Sequence, residues 1–583
     1  LEAGLWLVAG AMPLAWSTSL FAEYTLPKLL LLSAGVLVSS AGLFWGAASG
    51  AIRVRSTEMD LPLLASAAAL ALATVFSRDR LLSLSGSYNE HSFGVWPMLL
   101  CVAVYYLAAW GLEGERQRRV RMLSIVVGAA VSCYAVLQGL GFEPWELSGN
   151  IPQGRAVSAF GSPVYLGAYL ALVLPLALDS ALVKSRERWY GTVSLALIAA
   201  GLWATISKGA WLAAGTGALA YLALTGRLRP RRWGRWVRTA AILGVAAAAL
   251  ILALRLSLRG TDWTQTSRRE IWRSAWAAFL DRPATGWGPD TFELVFRRHK
   301  SEAYVRSANL ASFQVHAHND FLQALATTGL AGTAAYAFFI AALAMAAWRR
   351  LREPTGGTLA AALASALIAL LLNMQFNPPP LAALAMAAMF MGMLCVPIGP
   401  LKVGAKPGTP RALLPAGLLL LAGIVSVGLS WRMVRADGEL RAALELQRLG
   451  LNDQALERLL SAVRLNGWEL EYRKRIVRHL TQRAHDGLSR LERFDLAARH
   501  AAEARNLHPK HAQAHYLCGF TALKQAQAGR PERLHAAEMA LDSALDLDPL
   551  GGPVLRARYR AALLRGDPGA AAWRERLERL ERR

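Results

Sequence analysis

Apolar runs of membrane-spanning length recur through the first 430 residues of this 583-residue chain. Leu61–Phe76, Val164–Val183 and Thr239–Ala253 are three examples that carry almost no charge. A helix needs roughly 20 apolar residues to cross a bilayer, where its backbone polar groups must be satisfied internally. One signal peptide cannot account for a repeated pattern. We therefore predict an all-α, polytopic membrane protein.

The pattern predicts about thirteen transmembrane helices, and 54% of the residues are hydrophobic, which is too many for a soluble protein of this size. The predicted spans are 3–22, 26–48, 61–76, 93–112, 120–141, 164–183, 189–206, 209–225, 239–257, 320–347, 357–373, 380–398 and 413–430.

The net charge of +24 is concentrated in short loops between these spans, which argues against nucleic acid as a partner. One alternating set of loops is basic, at 53–55, 116–121, 184–188, 227–238, 349–352 and 402–411. Because Lys and Arg stay on the cytoplasmic side of a membrane, we predict a cytoplasmic N-terminus. The segments then predicted to be external are 77–92, 142–163, 207–209, 258–319 and 373–380.

After residue 430 the apolar residues take a helical period and the charge density rises. Ala504–Pro509 and Ala544–Pro549 are similar helix ends, and their spacing of about 40 residues resembles the tetratricopeptide period of about 34. We predict a transmembrane domain, 1–430, with a large external loop, 258–319, and an external helical-repeat domain, 431–583. The repeats would bind a protein or glycan partner, or form a cap without a ligand.

A short polar stretch, His316–Asp320, opens the tenth predicted span on the external side. His318 and Asn319 are followed by nine residues and then by Gly329-Leu330-Ala331-Gly332. This pattern resembles the hallmark of the O-antigen ligase and Wzy-type polymerase superfamily. Further similar elements, over roughly residues 60–400, are Phe160–Pro163, Ser207–Trp211 with Lys208 where the family usually has Arg, Ser267-Arg268, Ile271-Trp272, Pro283, Gly286 and Gly288.

The resemblance implies a GT-C-like membrane fold and a glycosyltransferase of the bacterial inner membrane that acts on the periplasmic face. It implies a metal-independent, inverting transfer of a glycan from undecaprenyl diphosphate to an acceptor hydroxyl, most simply on lipid A core. Polymerisation onto another lipid-linked glycan and O-linked transfer to protein remain open. So do the sugar and the oligomeric state.

Cationic side chains must stabilise a diphosphate leaving group if no metal does so, and Arg binds phosphate oxygens in pairs. The sequence's only Asp-x-Asp pair of the metal-binding kind, Asp546 and Asp548, lies in the tail. The four cysteines show no zinc spacing, and we predict no metal and no cofactor. The predicted external cations are Arg155, Lys208, Arg268 and Arg269. Each can also be an interfacial anchor among membrane lipids.

His318 is the candidate catalytic base because an attacking hydroxyl needs a proton acceptor that titrates near neutral pH. It can also simply open the helix, or bind a metal with His316. Asn319 and Asp320 would cap this helix or orient the imidazole. Gly329 and Gly332 would let transmembrane helices pack closely.

A polysaccharide transporter or flippase is the alternative of a different class. Transporters usually carry charged residues in mid-span and pairs of broken helices, and the sequence shows neither pattern. A scaffold that only recruits partners through its repeats is a further alternative.

Overall fold

The computed structural model describes residues 1–583 except 53, 89, 144–153, 184–187, 228–262, 354–356, 396–409, 486–487 and 582–583. Every regular element in these residues is helical, which confirms the predicted all-α class. The helices up to the first long gap are α1 Glu2–Leu14, α2 Leu26–Ser49, α3 Asp60–Val75, α4 Arg80–Ser85, α5 Val95–Gly111, α6 Glu115–Gly139, α7 Pro163–Leu182, α8 Arg188–Ala204 and α9 Lys208–Leu224.

The remaining helices form the large loop, the last part of the bundle and the tail. They are α10 Trp263–Asp281, α11 Phe292–His299, α12 Glu302–Ser307, α13 Asp320–Arg352, α14 Gly357–Asn373, α15 Leu381–Leu394, α16 Pro410–Arg448, α17 Asn452–Leu465, α18 Leu470–Gln482, α19 Arg490–Leu507, α20 Ala512–Gln527, α21 Arg533–Leu547, α22 Gly552–Arg565 and α23 Ala570–Glu581.

Five described helices are long and apolar enough to cross a membrane, namely Leu26–Ser49, Glu115–Gly139, Pro163–Leu182, Asp320–Arg352 and Leu413–Arg448 within α16. Further apolar helices of 10–17 residues lie among them. The predicted ninth span, 239–257, lies outside the described residues. A multi-pass helical membrane protein is therefore supported, while the number of thirteen spans stays a prediction.

The first predicted span, 3–22, is wrong in its second half because α1 ends at Leu14. The chain from residue 15 to residue 25 forms turns. The backbone N–H groups of Phe21 and Ala22 donate to the carboxylate of Asp437 at 2.7 and 2.9 Å. A distant helix thus satisfies backbone groups that a membrane helix would pair internally.

The centre of the bundle is α7, whose residues 166–173 are fully or almost fully buried. It packs against α8, α9 and α14. Helix α16 runs along α2, where Ser33 and Ser430 share a hydrogen bond of 2.8 Å. Small residues at this contact, such as Gly423 beside Leu37, allow the two helices to approach closely.

Basic loops gather at one end of the bundle. The indole of Trp110 donates to the carbonyl of Arg55 at 2.8 Å, and Arg349 forms a 2.8 Å ion pair with Glu58. The turns after α2, α5 and α13 therefore share one end. The loops predicted to be external meet at the other end, which agrees with the alternation used to predict the topology.

The predicted domain boundary at 430/431 falls inside a single helix, α16, which extends from Pro410 to Arg448. The tail is thus joined to the bundle by a continuous helix, without a flexible linker. Its helices α17–α23 pack mainly against their neighbours along the chain, as stacked repeats do. The assignment to the tetratricopeptide class remains a prediction.

The tail contacts the bundle's loops directly. His508 Nδ1 lies 2.6 Å from Asp79 Oδ2, and the carboxylate of Asp548 pairs with Arg297 at 3.3 Å and with Lys300 at 3.0 Å. These three contacts link the ends of two tail helices to segment 77–92 and to the large loop. The tail therefore lies on the same face of the bundle as the large loop.

Candidate active site at the loop face of the bundle

His318 lies just before the N-cap of α13, in a left-handed backbone conformation. Its φ of +52° is uncommon for residues other than glycine, although Asn, Asp and His adopt such values more often than the rest. The neighbouring backbone is held on both sides, since Trp272 Nε1 donates to the Ala317 carbonyl at 3.0 Å and Ala317 N donates to Gln323 Oε1 at 2.8 Å. Asn319 caps the helix, with its side chain accepting from Leu322 N at 3.0 Å. Such strain is typical of functional sites.

The His318 ring has one nitrogen available for chemistry. Nδ1 is buried and has no hydrogen-bond partner among the described residues, while the ring also bonds to the backbone of Phe376. Burial, followed by the positive charge of Arg268 and then His316, lowers the pKa of His318 to about 3. The imidazole is therefore neutral at physiological pH and can accept a proton.

Helix α10 directs its two arginines differently. Arg268 is partly buried and acts on His318, whereas Arg269 is exposed. Burial lowers the pKa of Arg268, although guanidinium remains charged at any physiological pH. Trp272, one turn after Arg268, binds the Ala317 carbonyl, so it secures the histidine segment.

Arg155 and Lys208 lie across from this helix, around the turn between α8 and α9. Arg155 Nε donates to the Thr205 carbonyl at 3.0 Å, and the exposed Lys208 begins α9. A Cβ on the next residue, Gly209, would stand 3.3 Å from Phe376, the residue whose backbone meets His318. The fold thus brings the segments of Arg155, Lys208, Arg268 and His318 to one place.

A second histidine forms a dyad that the sequence reasoning missed. His316 Nε2 hydrogen-bonds to Glu90 Oε2, and its ring meets Phe93 edge-on at 5.0 Å between centroids. Burial alone would lower the pKa of His316, but the Glu90 carboxylate and its hydrogen bond raise it above the usual value. Glu90 also hydrogen-bonds to Tyr165. His316 Nδ1, like His318 Nδ1, is buried without a partner among the described residues. The raised pKa of His316 favours its charged form, which cannot accept a proton, and this leaves the neutral His318 as the better candidate for the base.

Asp290 extends the same network towards α3 and α4. It accepts a 2.7 Å hydrogen bond from Ser87 N, while its Oδ1 has no partner among the described residues. Burial raises the pKa of Asp290 to about 7. Segment 77–92 had been singled out only as an external loop, and no motif marks Glu90 or Asp290. Their partners are more than 200 residues away along the chain.

Strained backbone clusters around the site. Within the described part of the chain, positive φ at a residue other than glycine occurs at His91, Ser158, Ile206, Asp290 and His318, with values from +47° to +54°. All five residues lie outside the α-helices on the face that carries His318, and Ser158 begins a single 3₁₀ turn there. The surrounding packing holds these loops in defined positions, as a preorganised site requires.

The first glycine of the Gly-x-x-Gly element packs against the large loop. Helix α13 breaks at Gly329, which has φ +64° and ψ −162°, a combination essentially confined to glycine. The loop from Pro283 to Gly288 fits into the break through backbone hydrogen bonds, including Leu330 N to Pro283 O at 2.7 Å and Gly288 N to Thr327 O at 2.8 Å. A Cβ on Gly329 would lie 2.6 Å from the Ala284 carbonyl.

Gly332 lies one turn beyond the break. A Cβ there would stand 2.0 Å from the Thr328 hydroxyl of the preceding turn. Gly329 therefore shapes the contact of α13 with the large loop, and Gly332 leaves room for the Thr328 side chain of the preceding turn.

An apolar groove of about 300 Å³ opens between α3, α5, α13, α14 and α15. Its walls are largely aliphatic and aromatic, with Leu63, Leu99 and Met391 among them. Its polar end carries Asp290, Asp320 and Gln323 and adjoins the histidine segment. The groove has the chemistry to hold a hydrocarbon chain beside the site.

The tail's Asp-x-Asp pair is not arranged as a metal site. Asp548 is buried between Arg297 and Lys300, and no group of three or more His, Cys, Asp or Glu residues suited to a metal occurs in the part of the chain that the structure describes. Cationic side chains are the groups that the loop face offers to a diphosphate.

Comparison with protein families gives a match to the central part of the chain. Residues 193–337 match the family model described as O-antigen ligase. This confirms the resemblance predicted from the motifs. The matched region includes Lys208, Arg268, Arg269 and His318 through Gly332, and it excludes Arg155 and the tail. No curated protein matches the chain. The match supports an enzyme of the membrane glycan ligase or polymerase type, which acts on a lipid-linked glycan and an acceptor.

Proposed function

We propose that the protein transfers a glycan from undecaprenyl diphosphate to an acceptor hydroxyl at the periplasmic face of the bacterial inner membrane. The observation that carries this proposal is the buried Nδ1 of His318, which has no partner in the described part of the chain and lies close enough to Arg268 for that charge to lower the pKa of the histidine. A base next to a phosphate-binding cation is the pair of groups that such a displacement needs.

The reaction would be a single displacement without a metal. The acceptor hydroxyl gives its proton to His318 Nδ1 while its oxygen attacks the anomeric carbon. The bond from that carbon to the diphosphate oxygen breaks, and the diphosphate leaves with the electron pair. Attack opposite the leaving group inverts the anomeric centre. Arg268 stabilises the charge that grows on the departing oxygen.

The low pKa of His318 fits this sequence of events. An imidazole with a pKa of about 3 is neutral but only weakly basic. A bound diphosphate would neutralise part of the charge of Arg268 and so raise the pKa of His318 towards the working pH. Donor binding would thus strengthen the base when the donor is in place.

The other three cationic side chains would contact different parts of the donor. Arg155 and Lys208 border the site on the other side and would contact the diphosphate or the first sugar. Arg269 is exposed and adjoins Arg268, and it would meet lipid headgroups or the outer phosphate. The apolar groove would take a hydrocarbon chain of the lipid-linked substrate.

O-antigen ligation to lipid A core is the simplest assignment of the acceptor. Transfer to a second lipid-linked glycan or to a protein would use the same groups and differ only in what enters beside His318. Identification of the reaction product therefore distinguishes these acceptors.

The decisive variant is His318→Ala. Because loss of a general base typically slows a reaction by about 10²–10⁴-fold, we expect transfer from a purified undecaprenyl-diphosphate glycan to fall by that amount. The assay contains EDTA, so that wild-type turnover also tests metal independence. His535→Ala, an exposed histidine of the tail, is the control and should behave as wild type. Near-normal transfer by folded His318→Ala, or a requirement for Mg²⁺ or Mn²⁺, would contradict the mechanism.

A further inference from the structure

A second cavity, of about 360 Å³, lies between the tail and the large loop. We call it the tail groove. Helices α18, α20 and α22 supply most of its lining, and the segment from Leu310 to Phe313 forms its remaining wall. Neither the proposed transfer reaction nor the O-antigen ligase match, which ends at residue 337, assigns it a role.

Aromatic rings line one side of the groove. Tyr516 and Phe520 lie one turn apart on α20, with their rings stacked at a centroid distance of 5.6 Å. Phe313 faces the groove from the opposite wall, is 40% exposed and lies under the guanidinium of Arg297 at 4.2 Å. Partly exposed aromatic faces of this kind pack well against the C–H faces of sugar rings.

The charge of the groove is positive. Arg478 lines it and has no carboxylate partner among the described residues, and it lies close enough to act electrostatically on Tyr516 together with Arg560. Lys524 extends the positive charge along α20, with its ammonium 5.5 Å from the Phe520 ring centre. The acidic side chain in the lining, Asp548, is neutralised by Arg297 and Lys300. Such a field favours an anionic ligand.

The wall of the groove is continuous with the candidate active site. Phe313 precedes His318 by five residues, which span at most roughly 18 Å even when fully extended. The wall is also tied to the tail, since Gly552 N donates to the Leu310 carbonyl at 3.2 Å. A chain of a few sugars could therefore occupy the groove while one end reaches the site.

We infer that the tail groove binds an anionic oligosaccharide, a carboxylate- or phosphate-bearing part of the glycan that the enzyme handles. Arg478 would bind the acidic group, and Tyr516 and Phe520 would pack against sugar rings. The choice of a glycan over an acidic peptide rests on the proposed function, whereas the positive charge and the aromatic lining do not.

The test is a binding measurement on the full-length protein in nanodiscs. The probes are a uronate pentasaccharide, a neutral glucose pentasaccharide and a pentaglutamate peptide, titrated by calorimetry. All measurements use the His318→Ala background, so that binding is read without turnover. The variants are Arg478→Gln and Phe520→Leu, and the control is Arg574→Gln, an exposed arginine at the far end of the tail that removes the same charge.

We expect the uronate oligomer to bind at least tenfold more tightly than the neutral one. Loss of one charged hydrogen bond should weaken uronate binding about tenfold in Arg478→Gln, and Phe520→Leu should weaken both oligosaccharides, while Arg574→Gln changes neither. Equal binding of the two oligosaccharides would overturn the anionic assignment. Peptide binding as tight as uronate binding would overturn the glycan assignment, and no binding of any probe would overturn both. Failure of the proposed function would appear separately, as no transfer by wild type in the turnover assay, and failure of the base assignment alone as near-normal turnover by His318→Ala.

Discussion

At the scale of single residues, the site contains two pairs of similar side chains, and the two members of each pair have different surroundings. In the pair Arg268 and Arg269, one side chain turns towards His318 and the other is exposed. In the pair His316 and His318, the first ring bonds to the Glu90 carboxylate, which favours its charged form, whereas the second bonds to the Phe376 backbone and is neutral. In each pair, one member has the geometry for chemistry and the other supports the local structure or faces the surroundings.

Substitutions of Arg268 test whether the diphosphate leaving group needs only a positive charge beside it or needs the planar guanidinium. A guanidinium binds two phosphate oxygens at once, whereas an ammonium is a point charge. We expect Arg268→Ala to lower transfer by about a hundredfold or more and Arg268→Lys by at least about tenfold. Donor turnover by purified variants measures both effects.

Arg269→Lys and Arg269→Ala are the comparison variants, and both should lose less transfer than the Arg268 variants because this exposed side chain would reach only the outer phosphate or lipid headgroups. If Arg268→Lys behaves as wild type while Arg268→Ala fails, charge alone matters there and the bidentate contact is excluded.

At the scale of secondary-structure elements, the break in α13 connects the membrane bundle to the chemistry. The helix that carries His318 at its start is interrupted at Gly329, and the large loop fits into the interruption. Helix α10, which carries Arg268, ends just before this loop. The break therefore sets the position of one catalytic element relative to the other.

Replacing Gly329 with Ala should disturb this arrangement. The backbone conformation at Gly329 costs about 1–3 kcal/mol for any other residue, and the added Cβ would meet a backbone carbonyl that cannot easily move. We expect a lower apparent melting temperature and a loss of transfer that exceeds the loss of folded protein. The melting curve and the turnover of the folded fraction measure these separately.

Gly215→Ala is the control within the same membrane domain. A Cβ at Gly215 would meet nothing within 4 Å, and this glycine lies inside α9. Stability should stay equal or rise slightly, because Ala favours helix over Gly. Equal effects of the two substitutions would show that the conformation at Gly329 has no special importance.

At the scale of the whole molecule, the tail and the large loop form one assembly on the loop face. The tail pairs with the large loop through Asp548, which contacts Arg297 and Lys300, and with segment 77–92 through the buried pair of His508 with Asp79. Asp79 stands at the start of α4, so the second of these contacts reaches the segment that also holds Glu90. The tail is thus placed to influence the site and what approaches it.

The pair of His508 with Asp79 makes tail docking dependent on pH. Burial alone would lower the pKa of His508, but the hydrogen bond and charge of Asp79 raise it. A raised histidine pKa gives a contribution that is complete below the unfolded value near 6.5 and is lost as pH rises through the folded value. The melting temperature of wild type should therefore exceed that of His508→Gln more at pH 6 than at pH 9.

Asp79 sets the low-pH end of the range in which its pair with His508 contributes to stability. Burial opposes ionisation, but the partner His508 lowers the pKa of Asp79 overall, so its contribution is lost on acidification below its usual value. His535→Gln, exposed in the tail, should show no such pH dependence. A constant difference between wild type and His508→Gln across pH would mean that the contact does not depend on the charge.

The predicted orientation can be tested by labelling. Cysteine placed at Gln527, exposed in the tail, should react with a membrane-impermeant maleimide in intact spheroplasts, because the tail is predicted to be periplasmic. Cysteine at Glu113, exposed at the basic end of the bundle, should react only after the membrane is permeabilised. The four native cysteines are replaced first. The reverse pattern would invert the topology and place the site in the cytoplasm.

The sequence by itself determined the all-α membrane class, the two sets of loops and the segments that meet at the site. These properties follow from local patterns: the length of an apolar run, the alternation of charged loops and a motif of fixed spacing. The pattern His318-Asn319 followed by Gly329 and Gly332 also predicted the similarity to O-antigen ligases, which the family match confirms.

Only the tertiary structure decided which side chains share the site and how the tail is placed. Glu90 finds His316 and Asp79 finds His508 across hundreds of residues, and such pairings depend on packing that no local pattern encodes. The end of α1 at Leu14 and the break at Gly329 have the same origin, since distant backbone and side-chain groups there satisfy hydrogen bonds that a continuous helix would make for itself.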